Sequence, residues 1–200
     1  MNYKRIPLGP LWTNSYVVDD GRGTALCFDA GGDPADVLGW LRNEQLKLAA
    51  IVLTHGHMDH ILGVAPLARA TGAAVYVPEN DEALLRDPNM NLAAEFGYSV
   101  EPVAADHIVR DGDVFTFGEL KVEALHTPGH TPGSVTYRIG DALFTGDTMF
   151  QGSYGRTDFP GGSWEQEMNS IRKLLALPED HPVYPGHGPQ TTLAAERPFY

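Results

Sequence analysis

The chain has 200 residues, of which 42% are hydrophobic, so it is long enough to bury the core of one globular domain, expected over residues 1–200. Its 14 basic and 26 acidic residues give a formal net charge of −12, which argues against nucleic acid or a membrane surface as a partner. A single cysteine excludes an intrachain disulfide and a multi-thiolate metal site, and the N terminus lacks the apolar run of a secretory signal, so we expect a cytoplasmic protein.

The first predicted elements are short strands over residues 3–8, 14–18 and 24–29, which form a β-meander broken by Gly and Pro turns. The Asp33-Pro34 start signal predicts a helix that ends near Gln45. A continuous apolar run predicts a buried strand over residues 48–53, and a helix is expected over residues 61–70. A histidine-rich segment lies between these two elements, where a strand gives way to a helix.

The second half of the chain begins with residues 78–98, which carry short helical stretches without strong periodicity. Period-two alternation then predicts a second β-meander, with strands over residues 108–109, 114–117, 120–125, 135–139 and 142–145. A helix over residues 164–176, a strand over 182–184 and a terminal helix over 191–197 complete the pattern. Two runs of strands with helices interspersed predict an α+β fold, an αββα four-layer sandwich with the sheets face to face.

Metal-competent side chains follow several of the predicted strands. His55, His57 and Asp59 alternate, so they project to one side of an extended or gently turning loop, and His60 follows directly. Imidazole and carboxylate groups bind zinc, iron and manganese where thiolate is absent. Seven candidate ligands exceed the needs of one ion and predict two: His55, His57, Asp59, His60, His130, Asp147 and His187.

The motif Thr54-His55-Gly56-His57-Met58-Asp59-His60, with the later His130, Gly146-Asp147 and Pro185-Gly186-His187-Gly188, resembles the metallo-β-lactamase superfamily. Within it, the chain resembles the short, single-domain glyoxalase II-like hydrolases. The resemblance implies the αββα fold and two divalent metal ions, with zinc first and iron or manganese as alternatives. It assigns His55, His57 and His130 to the first ion, Asp59, His60 and His187 to the second, and Asp147 to both.

The same resemblance implies a mechanism in which a hydroxide that bridges the two ions attacks a thioester. Asp59 is expected to be the catalytic residue, because it orients this hydroxide and receives its proton. Asp29 ends a predicted strand and is expected to orient a ligand imidazole from outside the ligand set.

The expected partner is a small thioester of the S-lactoylglutathione type. Only 13 residues follow His187, so we expect no C-terminal helical region of the kind that binds glutathione in two-domain glyoxalase II enzymes. Arg156 stands near the position of a glutathione-binding lysine in those enzymes, and Asp158 stands near that of an aromatic residue. Arg156 could contact substrate or form a loop ion pair with Asp158, and Tyr154 could line the pocket or pack.

Several alternatives remain open from the sequence. The pattern Gly-Arg-Thr-Asp-Phe-Pro over residues 155–160 also resembles the mono-iron persulfide dioxygenases. Lactone, ester or phosphodiester hydrolysis and a non-enzymatic metal-binding module are the other hypotheses. True lactamases of the superfamily carry a cysteine ligand and usually a basic residue at the position of His60. We expect structural or exposed roles for the remaining histidines, His107, His126 and His181.

Overall fold

Two six-stranded sheets form the centre of the computed structural model, which describes residues 1–200. The first sheet contains, in spatial order, β1 (Asn2–Leu8), β2 (Thr13–Asp19), β3 (Thr24–Phe28), β4 (Lys47–Val52), β5 (Ala74–Pro78) and β6 (His107–Val109). The second contains β7 (Val114–Phe117), β8 (Leu120–His126), β9 (Val135–Ile139), β10 (Ala142–Gly146), β11 (Pro182–Pro185) and β12 (Thr191–Thr192). Strands that are consecutive in the chain are therefore neighbours in each sheet.

Each sheet combines an antiparallel meander with parallel pairing. Strands β1 to β3 pair antiparallel, and β3 to β6 pair parallel. Strands β7 to β10 pair antiparallel, β10 and β11 pair parallel, and β12 closes the sheet antiparallel. The first predicted meander is confirmed, and the second is confirmed over residues 114–145. The strand expected at residues 108–109 belongs instead to β6, which pairs parallel with β5 in the first sheet, because so short a strand carries too little alternation to indicate its sheet. The parallel pairs β3–β4 and β10–β11 bring neighbouring strand ends to one edge.

The helices are α1 (Ala35–Asn43), α2 (Met58–Ile61), α3 (Val64–Thr71), α4 (Ala93–Phe96), α5 (Trp164–Leu175) and α6 (Leu193–Glu196). Two 3-10 helices cover Glu79–Leu85 and Arg197–Phe199. None of the helices has the length and apolar character needed to cross a membrane.

Two helix predictions were also wrong. The helix expected over residues 61–70 is divided into α2 and α3 at Leu62-Gly63, and α2 begins before the expected helix. Gly63 lies against the main chain of Gly32, where an added Cβ would be 1.9 Å from a carbonyl oxygen. The terminal helix expected over residues 191–197 begins only after β12, because the Thr192 side chain caps α6 by accepting from Ala195 N.

Three apolar layers hold the molecule together. The outer face of the first sheet packs on α1 and α3, in one apolar cluster that includes Val17, Ile51, Val37 and Leu67. The facing sides of the two sheets form the central layer, where the Phe28 and Phe144 rings stack with centroids 4.4 Å apart. The outer face of the second sheet packs on α5 and α6. This order of layers confirms the αββα sandwich.

The two sheets are also joined by hydrogen bonds at the edge where their parallel strands end. Val135 N, at the start of β9, donates to Thr54 O just after β4, at 2.9 Å. Asn14 N, in β2, donates to Gly186 O just after β11, at 2.7 Å. These bonds place the segments that follow β4, β10 and β11 next to one another.

Candidate metal centre

The seven predicted ligands lie together at this edge. Those from the first sheet follow β4 directly or lie on α2, and those from the second follow β8, β10 and β11. All are buried except His187, whose side chain is 26% exposed. The extended loop predicted for the histidine-rich segment ends at His57, because Met58, Asp59 and His60 form the helical turn α2.

Three groups within this cluster have ligand atoms within 4.8 Å of one another. One group holds His55, His57 and His130, and a second holds Asp59, His60 and His187. These are the two sets that the sequence resemblance implies for two ions. The structure brings the seven side chains together, while their roles as ligands stay a prediction.

Asp147 lies between the two groups. Its Oδ1 is 3.3 Å from His60 Nε2, and its Oδ2 is 3.6 Å from His130 Nε2 and 3.5 Å from His187 Nε2. Asp147 also forms the third group, with His55 and His60. A carboxylate that reaches both sets is the arrangement expected of a bridging ligand.

Several buried polar atoms in the cluster have no hydrogen-bond partner: His55 Nε2, His57 Nε2, His60 Nε2 and Asp147 Oδ1. A buried polar atom without a partner is costly, so native proteins rarely retain one without a function. His55, His60 and Asp147 all belong to one of the groups within 4.8 Å, and a cation there would satisfy their unpaired atoms. These unpaired atoms fit a metal centre.

Two histidines and one carboxylate of the cluster have protonation states that suit metal ions. Burial lowers the pKa of His57 to about 3, and burial together with the neighbouring His60 holds the pKa of His55 well below its usual value. Both imidazoles are therefore neutral at neutral pH. Burial opposes ionisation of Asp59, but His60 and His187 lower its pKa to about 2. Neutral imidazoles and ionised carboxylates are the forms that bind metals.

Asp29 fixes the orientation of His60. Its Oδ2 accepts from His60 Nδ1 at 2.8 Å and from Thr54 Oγ1 at 2.8 Å, and its Oδ1 accepts from Thr54 N at 2.8 Å. His60 Nδ1 is thereby occupied, which leaves Nε2 directed at Asp59 and Asp147. Asp29 is therefore placed to orient the imidazole of His60, a candidate ligand.

A cavity of about 460 Å³ opens onto the cluster and is lined by five of the seven residues: His57, Asp59, His130, Asp147 and His187. A second cavity of about 500 Å³, near Asp20 and Glu119, is lined by none of the seven. The first cavity is therefore the place where a small molecule would reach the metal centre.

The sequence model of the metallo-beta-lactamase superfamily matches residues 8–187, almost the whole chain and all seven candidate ligands. The chain belongs to the metallo-β-lactamase superfamily. It is thus an enzyme of a superfamily of metal-dependent hydrolases, and its His/Asp clusters suit divalent metal ions.

Among curated relatives in the superfamily, the chain is 37% identical to the probable metallo-hydrolase YqgX of Bacillus subtilis, over 98% of this chain and 95% of the relative. It is 32% identical to the hydroxyacylglutathione hydrolase GloC of Haemophilus influenzae, again over 98% and 95% of the two chains.

Solved structures of the superfamily are also similar. The B3 metallo-beta-lactamase BLEG-1 is 40% identical, with a TM-score of 0.92 over 98% of this chain and 97% of its own. TTHA1623 in a di-iron-bound form is 36% identical, with a TM-score of 0.87 over 97% and 96% of the chains. ETHE1 from Myxococcus xanthus is 30% identical, with a TM-score of 0.83 over 98% and 82%.

One buried carboxylate that the sequence did not single out, Asp81, joins two ligand loops of this superfamily member. Asp81 is fully buried and accepts from Gly56 N at 2.8 Å, between His55 and His57. It also accepts from Thr131 Oγ1 at 2.7 Å and from Gly133 N at 2.8 Å, just after His130. Asp81 lies in the stretch without periodicity, so no sequence signal marked it.

A second unpredicted residue, Glu167 of α5, holds the main chain of a ligand. Its Oε2 accepts from His130 N at 2.9 Å, and burial raises its pKa to about 9, so it is protonated at neutral pH. Gly129 allows this approach, because a Cβ there would lie 2.3 Å from Glu167 Cα. In the sequence, Glu167 looked like any polar residue of an amphipathic helix.

Arg156 and Tyr154 both line the cavity. The Arg156 main-chain oxygen accepts from His130 Nδ1 at 2.7 Å, and its side chain forms two 2.7 Å hydrogen bonds to Asp158. Tyr154 is 37% exposed and packs edge-on against Tyr200. The other histidines, His107, His126 and His181, belong to none of the ligand groups.

Proposed function

We propose that the protein is a binuclear hydrolase of small thioesters, with S-lactoylglutathione as the reference substrate and zinc as the expected metal. One observation carries the proposal: two groups of potential ligands share Asp147 and open onto one cavity. His55, His57 and His130 would hold the first ion, and Asp59, His60 and His187 would hold the second. Two such ions supply Lewis acidity, which lowers the pKa of water and polarises a carbonyl group.

Asp59 is the proposed catalytic residue, and its contacts indicate how it acts. Its Oδ2 accepts from Thr13 Oγ1 at 2.9 Å and lies 3.1 Å from His187 Nε2. These contacts fix the carboxylate at the cavity wall, where it can accept a hydrogen bond from the attacking water. Because its pKa is about 2, Asp59 is a weak base, and we propose that it orients the water more than it stores a proton.

The choice of thioesters is supported by the similarity to GloC, whose name gives hydroxyacylglutathione hydrolysis as its activity. A thioester also suits this centre because a thiolate is a good leaving group. The di-iron form of TTHA1623 supports iron as the alternative metal, and manganese is a further alternative.

Two other activities require a test beside the thioesterase. A mono-iron persulfide dioxygenase on the same scaffold remains the alternative hypothesis, and the second complete group, Asp59, His60 and His187, favours two ions over one. β-Lactam hydrolysis is a second candidate because BLEG-1, a B3 metallo-beta-lactamase, is 40% identical. Absence of a cysteine ligand therefore does not by itself exclude that activity.

The test combines metal content with a substrate panel. Purified protein is analysed for metal and then assayed on S-lactoylglutathione, an ester, a lactone, a β-lactam and glutathione persulfide with oxygen uptake. We expect two ions per chain and turnover of the thioester, which His57→Ala abolishes and His107→Ala retains, because His107 lies outside the ligand groups. One iron with oxygen uptake, or turnover of another substrate but no thioester, would reject the proposal.

A further inference from the structure

The cavity over the metal centre is apolar along most of its wall. The lining contains the five candidate ligands already named, together with Gly155, Tyr154 and Arg156. The rest of it consists of six apolar side chains: Leu11, Met58, Leu92, Phe96, Phe150 and Phe159. Phe159 packs edge-on against the His57 ring at 5.8 Å and faces Phe96 at 6.4 Å. An apolar surface therefore continues from the metal ligands towards the exposed Phe96.

Arg156 is the one lysine or arginine that lines this cavity, and its charge is already engaged. Its Nε and one terminal nitrogen each donate to an oxygen of Asp158 at 2.7 Å, and its guanidinium lies 3.9 Å from the Phe159 ring centroid. The Arg156 hydrogen bond lowers the pKa of Asp158, so the aspartate is ionised at neutral pH. The guanidinium is thus held by a carboxylate on one edge and an aromatic ring on its face.

The main chain of this segment is fixed as well. Arg156 O accepts from His130 Nδ1, and Gly155 lies so close to Asp147 that a Cβ would be 2.0 Å from its carbonyl oxygen. A substrate carboxylate could bind the Nε edge of Arg156 only by displacing Asp158, which is two residues away in the chain. The free Nη1 donors of Arg156 carry a charge that Asp158 already balances. A tethered competitor of this kind acts at a high effective concentration.

From this arrangement we infer that the site selects thioesters whose thiol carrier has no carboxylate. Asp158 is the specificity-determining residue, because it occupies the one cation that a carboxylated carrier such as glutathione would use. The inference rests on the proposed thioesterase function and narrows its substrate class: S-lactoylglutathione, whose carrier has two carboxylates, should be cleaved more slowly than a thioester of an uncharged carrier. The net charge of −12 also favours carriers without carboxylates, because it disfavours the approach of anions.

The test compares two carriers that bear the same phenylacetyl group, glutathione and the uncharged N-acetylcysteamine. We expect wild-type kcat/KM to be higher for the N-acetylcysteamine thioester. In Asp158→Asn, Arg156 is free to bind a substrate carboxylate. The ratio of kcat/KM for the glutathione thioester to kcat/KM for the N-acetylcysteamine thioester should therefore rise about fivefold, as expected for one exposed charge-assisted pair. The double variant that adds Arg156→Met should return the ratio to the wild-type value.

Glu101→Gln is the matched control. Glu101 also forms a two-pronged ion pair with an exposed arginine, Arg69, and lies outside the cavity lining. The substitution removes the same charge, so it measures the long-range effect of net charge alone. A wild-type preference for the glutathione carrier, or a ratio that shifts no further in Asp158→Asn than in Glu101→Gln, would overturn the inference.

Failure of the proposed thioesterase function can be distinguished from failure of the carrier preference. If wild-type protein cleaves neither thioester, the thioesterase proposal is wrong. Calorimetry with the S-phenethyl thioethers of both carriers, which cannot be cleaved as thioesters, still measures which carrier binds more tightly. We then expect weaker binding of the glutathione thioether to the metal-loaded protein, and about fivefold recovery in Asp158→Asn. Equal binding of both thioethers in the wild type would reject the selection itself.

Discussion

Replacement of Asp81 by alanine should weaken both the fold and the metal centre. The carboxylate accepts three hydrogen bonds from Gly56, Thr131 and Gly133, and no part of the residue reaches solvent. A buried donor left without a partner costs about 1–3 kcal/mol, so three donors set an upper limit of about 9 kcal/mol. Water that enters the space left by the carboxylate can pair with one or two of them.

We therefore expect Asp81→Ala to lower the free energy of unfolding of the metal-free protein by about 3–5 kcal/mol, a large part of the ~5–15 kcal/mol typical of a domain. Asp81→Asn keeps the shape and one acceptor oxygen, so it should cost about half as much. Since the same contacts join the loops of His57 and His130, metal affinity should also fall, by roughly 10- to 100-fold.

Urea denaturation monitored by circular dichroism measures the first effect, and competition with a chromophoric chelator measures the second. Asp20→Ala is the control. Asp20 also accepts three hydrogen bonds, in its case from the main-chain amides of Arg22, Thr24 and Glu119, but it lies apart from the candidate ligands. The control should retain wild-type metal affinity. Loss of less than 1 kcal/mol in Asp81→Ala together with unchanged metal affinity would refute the argument.

Chelation of the two ions should lower the Tm by about 10–20 °C, because each ion present at a hundred times its Kd contributes about 2.7 kcal/mol and 1 kcal/mol corresponds to about 2–4 °C in a chain of this size. An unchanged Tm would contradict a resident metal. Gly186→Ala places a Cβ 2.2 Å from Asp147 Oδ1, so metal affinity should fall roughly 10- to 100-fold. In the control Gly39→Ala, the atom nearest to the added Cβ is 4.0 Å away, so metal affinity should not change. Asp29→Ala removes the acceptor from His60 Nδ1 and should lower the affinity for one of the two ions roughly 10- to 100-fold in a metal titration. An equal loss of affinity for both ions would show that Asp29 acts on the whole fold.

The strands and the ligand cluster could be predicted because local chemistry marks them. Period-two alternation and Gly/Pro turns mark the two meanders, and metal-competent residues directly after strands mark the ligands. The division between α2 and α3 could not be predicted, because it depends on contact between Gly63 and Gly32, which are 31 residues apart. A break that is imposed by tertiary packing leaves little trace in local periodicity.

The residues that support the ligands were hidden for a related reason. Asp29 was identified because it ends a strand, which is a local feature. Asp81 and Glu167 act on ligand loops 25 and 37 residues away, and each resembles an ordinary polar residue of a helix. A buried carboxylate of this type is recognised only when its hydrogen-bond donors are known.

The distribution of the ligands between the two sheets has a consequence for folding kinetics. His55 and His60 precede residue 61, whereas His130, Asp147 and His187 all follow residue 129. The centre therefore exists only after the two halves of the chain have docked, so metal binding cannot provide an early nucleus. Ions that bind only this late structure should slow unfolding and leave the folding rate nearly unchanged.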